Sequence, residues 1–166
     1  MKKDSAQSSR YDFIGEHRGG PLSLNDHRLL MNWARRCSEH VFGQLDVAAD
    51  FRLIQALKIA KQWEQGLALT GDCMKASVAC HAAAREAPDL VSKAFARSVG
   101  QGVATAHMAD HAMGAALYGL KALNLSGKSV AIERIWQDQQ LCMLPAGLAK
   151  IVRGTVLVKA GSFKLL

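Results

Sequence analysis

One long stretch in the middle of the chain is almost free of charge. Between Arg97 and Lys121 the only formal charge is Asp110, and most of the other residues are alanine, glycine or small apolar side chains. A segment this apolar is too hydrophobic to lie on a protein surface, and its small residues allow neighbouring helices to approach closely. We therefore expect residues 98–121 to form the central helical layer of a domain, wrapped by more amphipathic helices.

Composition agrees with a helical domain. Of the 166 residues, 49% are hydrophobic, 6% are aromatic and three are prolines, which favours helix over sheet. This length suits one domain with a substantial core, and no strand-like alternation persists. The sequence predicts an all-α, single-domain bundle of about six to eight helices over residues 11–158. A disordered tail at 1–10 precedes it, and a basic tail at 159–166 follows.

Local signals place the helices. Four predicted N-caps precede helical apolar patterns, at Ser23, Asp50, Asp89 and Ser129. Another helix starts near residues 70–72, and a last one covers about 148–157. The central stretch is predicted to be two helices with a joint near 107–110, where Asp110 could cap the second; a single kinked helix is the alternative. In the helix after Asp50, the inner face is predicted at Leu53, Ile54, Leu57 and Ala60, with Lys58, Lys61 and Glu64 facing solvent.

The positive charge is concentrated at the two ends of the chain. The net charge is +7, of which residues 1–10 carry +2 and residues 139–166 carry +4, so the body is nearly neutral. A nucleic-acid-binding domain concentrates its charge on the folded body, so we predict no nucleic-acid partner. The start of the chain lacks the apolar core of a secretory signal, and no long apolar run predicts a membrane span. The expected location is cytoplasmic.

The four cysteines predict no redox or catalytic function. None form a Cys-x-x-Cys pair, and each lies in a helical apolar pattern, so we expect free, buried thiols in a reducing compartment. Cys37 and His40 share a helix, but no oxyanion donor accompanies them. The chain also lacks a phosphate-binding glycine loop, because residues 100–105 have neither the preceding strand nor the lysine. We predict no enzymatic activity and no cofactor.

Polar side chains within the apolar centre form the candidate site. His107 and His111 are four residues apart and share one face of a helix, a spacing that can bind zinc. A zinc protease would need glutamate directly after the first histidine, where this chain has Met108. The alternatives are a metal site with His81 as third ligand, a structural polar cluster, or a ligand pocket. The candidate residues are His81, Arg85, His107, Asp110, His111 and Tyr118.

Five segments of the chain carry a family resemblance. They are His27-Arg28-Leu-Leu-Met-Asn-Trp33, Ala60-Lys-Gln-Trp63-Glu-Gln-Gly66, Ala79-Cys-His81-Ala-Ala-Ala-Arg85, Ala104-Thr-Ala-His107-Met-Ala-Asp110-His111 and Glu133-Arg134-Ile-Trp136. In this order and spacing, over roughly residues 15–150, they resemble the immunity-protein-five-like family of bacterial polymorphic toxin systems. Cys80 departs from the alanine expected there, and the basic residues beyond Leu148 fall outside the pattern.

The resemblance implies an all-helical protein that binds and occludes a cognate protein toxin. Its working residues would then be surface residues that face the toxin. The segments that carry the resemblance are mostly core in our interpretation, so they indicate the fold more than the binding face. The competing hypothesis is a small-molecule or metal-binding protein with a site at His81, His107 and His111.

Overall fold

The prediction of an all-α bundle is confirmed. A computed structural model describes residues 10–48 and 50–165. These residues form seven α-helices and no β-strand, and the only bridge among them joins Gly15 to Leu22. The helices are α1 (Leu24–Phe42), α2 (Phe51–Glu64), α3 (Thr70–Glu86), α4 (Leu90–Ala104), α5 (His111–Leu125), α6 (Val130–Gln140) and α7 (Ala146–Ala160).

All four predicted N-caps are confirmed. The side chains of Ser23, Asp50, Asp89 and Ser129 accept hydrogen bonds from backbone N–H groups in the first turns of α1, α2, α4 and α6. Each bond satisfies one of the donors that a helix start leaves without an intrahelical partner. Asp110 stands at the N-cap position of α5, but its side chain makes no capping bond. Local polar residues therefore set most of the helix boundaries.

The apolar stretch forms the centre of the bundle, as predicted. Helix α4 packs against α1, α2, α3 and α5, and α5 packs against α1, α4, α6 and α7. Ser38 of α1 and Ser98 of α4 are hydrogen-bonded at 2.8 Å, and the Ser98 hydroxyl donates to the Ala115 carbonyl of α5. An added Cβ at Gly119 would lie 3.0 Å from Cγ2 of Val41. Small residues thus allow α1, α4 and α5 to meet closely.

The inner face predicted for α2 is partly wrong. Leu53 and Ala60 are buried, but Ile54 is 46% exposed. Glu64, predicted to face solvent, instead points at α1, where Arg35 Nε donates to its Oε1 at 2.6 Å. A carboxylate is unfavourable in a core unless a cation accompanies it, so the pattern within α2 predicts Glu64 on the solvent side. Arg35 of α1 supplies that cation.

Short 3-10 helices lie near both ends of the described residues. Residues 1–9 of the predicted N-terminal tail lie outside the described residues, and a 3-10 helix begins at Arg10. At the other end, α7 continues to Ala160 and a further 3-10 turn covers Gly161–Phe163. The Phe163 ring contacts Tyr118 edge-on, with centroids 4.8 Å apart. Helical structure therefore continues past residue 158, where the sequence predicts the domain to end.

Candidate functional site

The six predicted site residues are spread over several separate contacts. His81 and Arg85 lie on α3, His107 and Asp110 in the loop between α4 and α5, and His111 and Tyr118 on α5. Arg85 and His107 are exposed, and the other four are half-buried. Each half-buried residue has its own partner, so the six do not converge on one cavity.

His81 is held by an arginine from the neighbouring helix. Its Nδ1 accepts a hydrogen bond of 2.9 Å from Nη1 of Arg97 on α4. Burial, followed by the positive charge of Arg97, lowers the pKa of His81. The imidazole packs on Gly100, where an added Cβ would lie 2.9 Å from its Cε1. The His81 imidazole is therefore neutral, accepts a hydrogen bond on Nδ1 and packs between α3 and α4.

His111 is paired with an amide of α4. Its Nδ1 lies 2.8 Å from Oε1 of Gln101, an arrangement in which the ring N–H donates. Burial lowers the pKa of His111, and the nearby Asp110 partly opposes this. Asp110 itself faces Arg10 at 3.7 Å. Within residues 10–48 and 50–165, no three His, Cys, Asp or Glu side chains are arranged to hold a metal ion, so the metal alternative gains no support from this geometry.

A different cavity is lined by several arginine and histidine side chains. This cavity, which we call the basic pocket, has a volume of about 430 Å³. Two arginines and three histidines line it, and no Asp or Glu does. Its lining residues are His17, Arg18, Leu24, His27, Arg28, Trp63, Gly66, Ala68, Thr70, Ala106 and His107. Of the predicted site residues, only His107 belongs to it.

His27 forms the inner wall of the basic pocket. It is buried, and its Nε2–H donates to the Thr105 carbonyl at 2.6 Å. Its ring also meets Trp63 edge-on, with centroids 5.0 Å apart. Burial lowers the pKa of His27, the Thr105 hydrogen bond opposes that shift, and the charge of His17 adds to it. His27 thus joins α1 to the end of α4 as a neutral imidazole.

Arg28 lies beside Gly66, a position whose backbone conformation favours glycine. Gly66 has φ +75°, and an added Cβ would lie 3.2 Å from the Nη2 of Arg28. A side chain here would therefore be strained by the backbone conformation and would press on the guanidinium. Buried Nε of Arg28 has no hydrogen-bond partner among the described residues. The pocket thus contains an uncompensated cation.

Most residues of the basic pocket were not predicted from the sequence. The signal was present in three of the segments that carry the family resemblance, since His27-Arg28, Trp63 with Gly66, and His107 all line the pocket. These residues are far apart in the sequence and come from α1, the end of α2 and the loop after α4. Helical periodicity gives the inner face of each helix but not the point where separate helix ends meet.

A second polar centre is built around a buried carboxylate on α6. Glu133 is 1% exposed, and its Oε2 lies 2.7 Å from Nδ1 of His40 and 2.8 Å from Nε2 of Gln44. The His40 ring stacks on Trp136 with centroids 3.7 Å apart. These hydrogen bonds join the end of α1 to α6.

Three of the four cysteines are buried and unreactive, and the fourth corrects the predicted burial. Burial raises the pKa of Cys37 well above its usual value, and it raises those of Cys73 and Cys80 to about 12. These thiols therefore stay protonated and unreactive. Cys142, predicted to be buried, is exposed in the turn between α6 and α7.

The buried imidazole of His27 makes the fold acid-sensitive. Its folded pKa lies below the unfolded value of 6.5, so its contribution to stability is complete above that pH and is lost as the pH falls below it. We expect the free energy of unfolding to decrease as the pH falls from about 7.5 to about 5.5. The decrease should be less steep in His27→Gln, and the two slopes should differ by up to about 1.4 kcal/mol per pH unit.

Urea denaturation at several pH values measures both slopes. A Gln side chain can still donate to the Thr105 carbonyl but does not titrate, which separates the proton linkage from the lost hydrogen bond. Identical pH slopes for the wild-type protein and His27→Gln would contradict the assignment of His27 as a titrating group.

One comparison with known proteins identifies a family. The family model described as "Imm-5 like putative immunity protein" matches residues 20–144. The matched residues comprise α1 to α6, and α7 lies beyond them. No curated protein and no solved structure matches the chain. Because the match covers more than half of the sequence, the chain belongs to the Imm-5 like immunity protein family.

Proposed function

We propose that this protein neutralises a cognate bacterial toxin by binding it and covering its working surface, without catalysing a reaction. The observation that carries the proposal is the family match over residues 20–144. Three of the four thiols are buried and protonated, and two of the three predicted histidines, His81 and His111, are engaged in hydrogen bonds between helices. These features support a binding protein over an enzyme.

The binding face we propose is the groove between α6 and α7. This groove has a volume of about 490 Å³, and its walls are mainly apolar. Ile135 and Leu157 line it although they are 60% and 58% exposed. Exposed apolar side chains of this size, rimmed by polar groups, are typical of protein-binding sites.

The charge around the groove indicates the kind of surface that its partner would present. Arg134 and Arg153 line its rim, and Asp138 is the only acidic side chain there, already paired with Arg153. Helix α7 carries Lys150, Arg153 and Lys159 and no acidic residue. We therefore expect the toxin to present an apolar side chain within an acidic surface, which complementary charges would steer to this groove.

The test combines capture with rescue from toxicity. The tagged protein is used to capture partners from lysate of its source cells, and each captured protein is then expressed in a heterologous bacterial host. We expect one captured protein to arrest growth and co-expression of this chain to restore it. A charge placed in the desolvated centre of an interface costs several kcal/mol. The Ile135→Glu variant should therefore lose at least about a hundredfold in affinity.

A matched control separates this groove from the rest of the surface. Val78 of α3 is also a strongly exposed apolar residue, but it does not line the groove. Val78→Glu should therefore keep full rescue. A captured protein that is harmless, or toxicity that this chain does not relieve, would refute the immunity function. Equal loss of binding in both variants would refute the groove as the binding face.

A further inference from the structure

We propose that the basic pocket binds a phosphate group, either as inorganic phosphate or as the phosphate ester of a small molecule. The pocket shares no lining residue with the α6–α7 groove. The proposal therefore stands apart from toxin binding.

The lining of the basic pocket carries positive charge. Arg18 and Arg28 line the pocket together with His17, His27 and His107, and no carboxylate lines it. Among the described residues, neither arginine is within ion-pair distance of an acidic side chain; Arg18 contacts only the weak acceptor Sδ of Met108, at 3.2 Å. His27 is neutral, but the two arginine charges in one concavity repel each other and raise the affinity for an anion.

Two arginines of α1, Arg28 and Arg35, differ in whether acidic side chains compensate their charge. Arg35, two turns after Arg28, is buried and fully compensated, since Glu64 and Glu39 accept its hydrogen bonds at 2.6–3.0 Å. Arg28 has a buried Nε without a partner among residues 10–48 and 50–165. A buried cationic donor left in this way is unfavourable unless an anion satisfies it. The same helix therefore has one arginine used for packing and one available to a ligand.

Hydrogen-bond donors reach the basic pocket from different directions. His17 and Arg18 come from the 3-10 helix Glu16–Arg18, and His107 comes from the loop after α4. Thr70, the first residue of α3, accepts a hydrogen bond from the Trp63 indole on its Oγ1, which leaves its hydroxyl proton for another acceptor. Leu24 likewise places the first turn of α1 at the cavity. Two helix starts add to the positive potential.

A tetrahedral dianion suits this set of donors. It has oxygens directed to several sides, and arginine donates to phosphate through two parallel N–H bonds. The cavity has room for a small organic group beside the phosphate, because its volume is about 430 Å³ and small-molecule sites span about 300–1,000 Å³.

The test measures binding by the whole chain at constant ionic strength. Isothermal titration calorimetry is performed with inorganic phosphate and with ribose 5-phosphate, and potassium chloride serves as the reference salt. We expect at least one of the two phosphates to bind, and the tighter of them identifies the source of the group. Arg28→Gln and Arg18→Gln should each weaken binding at least about tenfold.

Two controls make the result decisive. In the absence of phosphate, Arg28→Gln should unfold at the same urea concentration as wild type or at a higher one, because Arg28 Nε bonds no described residue and its burial without a partner is unfavourable. Arg85→Gln removes an exposed arginine outside the pocket and should leave phosphate binding unchanged. Absence of binding by both phosphates, or an equal loss in Arg85→Gln, would overturn the proposal.

Discussion

Replacing Glu64 with alanine is expected to lower the free energy of unfolding by about 3 kcal/mol. Its carboxylate accepts two hydrogen bonds from Arg35 and one of 2.8 Å from Asn32. Both charged side chains are about nine-tenths buried. Burial opposes the charge of Arg35, but Glu64 and then Glu39 more than offset it, so the pKa of Arg35 is raised. Without Glu64 this buried cation loses its main partner.

Urea denaturation near neutral pH measures the effect, and the same cluster supplies the control. Glu39 also pairs with Arg35, at 2.7 Å, but its side chain is far more exposed. Glu39→Ala should therefore cost less than about 1 kcal/mol. Similar losses in the two variants would show that the Arg35–Glu64 pair is not the main connection between α1 and α2.

Replacing Trp33 with alanine is expected to cost about 4 kcal/mol. Trp33 is 1% exposed, and it packs where α1 meets α5 and the turn after α6. Its Nε1–H donates to the Gln137 carbonyl at 2.9 Å. Truncation therefore leaves both a large cavity and a buried carbonyl without its donor.

Trp136 is the matched control for Trp33. It is only half-buried and stacks on His40 at the surface of the same region. Trp136→Ala removes the same number of atoms with a clearly smaller loss of stability, as measured by urea denaturation. A larger loss for Trp136 than for Trp33 would contradict the packing described above.

Much of the fold could be predicted because its signals are local. Each N-cap needs only the residues of one helical turn, and Pro88 ends α3 through its own ring geometry. The central position of the second half of α4 and of α5 follows from the small residues and near absence of charge between Arg97 and Lys121, a property of one continuous stretch. These inferences require no knowledge of which helices are neighbours.

The errors concern side chains whose environment is set by distant residues. Glu64 is buried because Arg35 faces it from another helix, and no pattern within α2 reveals that partner. Ile54 belongs to an apolar repeat wider than the face that α2 buries. The basic pocket brings together residues from positions 17 to 107, whereas four of the six predicted site residues come from one stretch. His107 was found because it belongs to both.

The distribution of the thiols provides a practical means of observing this protein. Cys142 is exposed in the turn that joins the two helices of the proposed binding face, whereas Cys37, Cys73 and Cys80 are buried. A maleimide fluorophore added to the folded, unmodified chain should therefore attach at one position. Its emission would report the arrival of a partner next to that turn, in real time and without any substitution in the sequence.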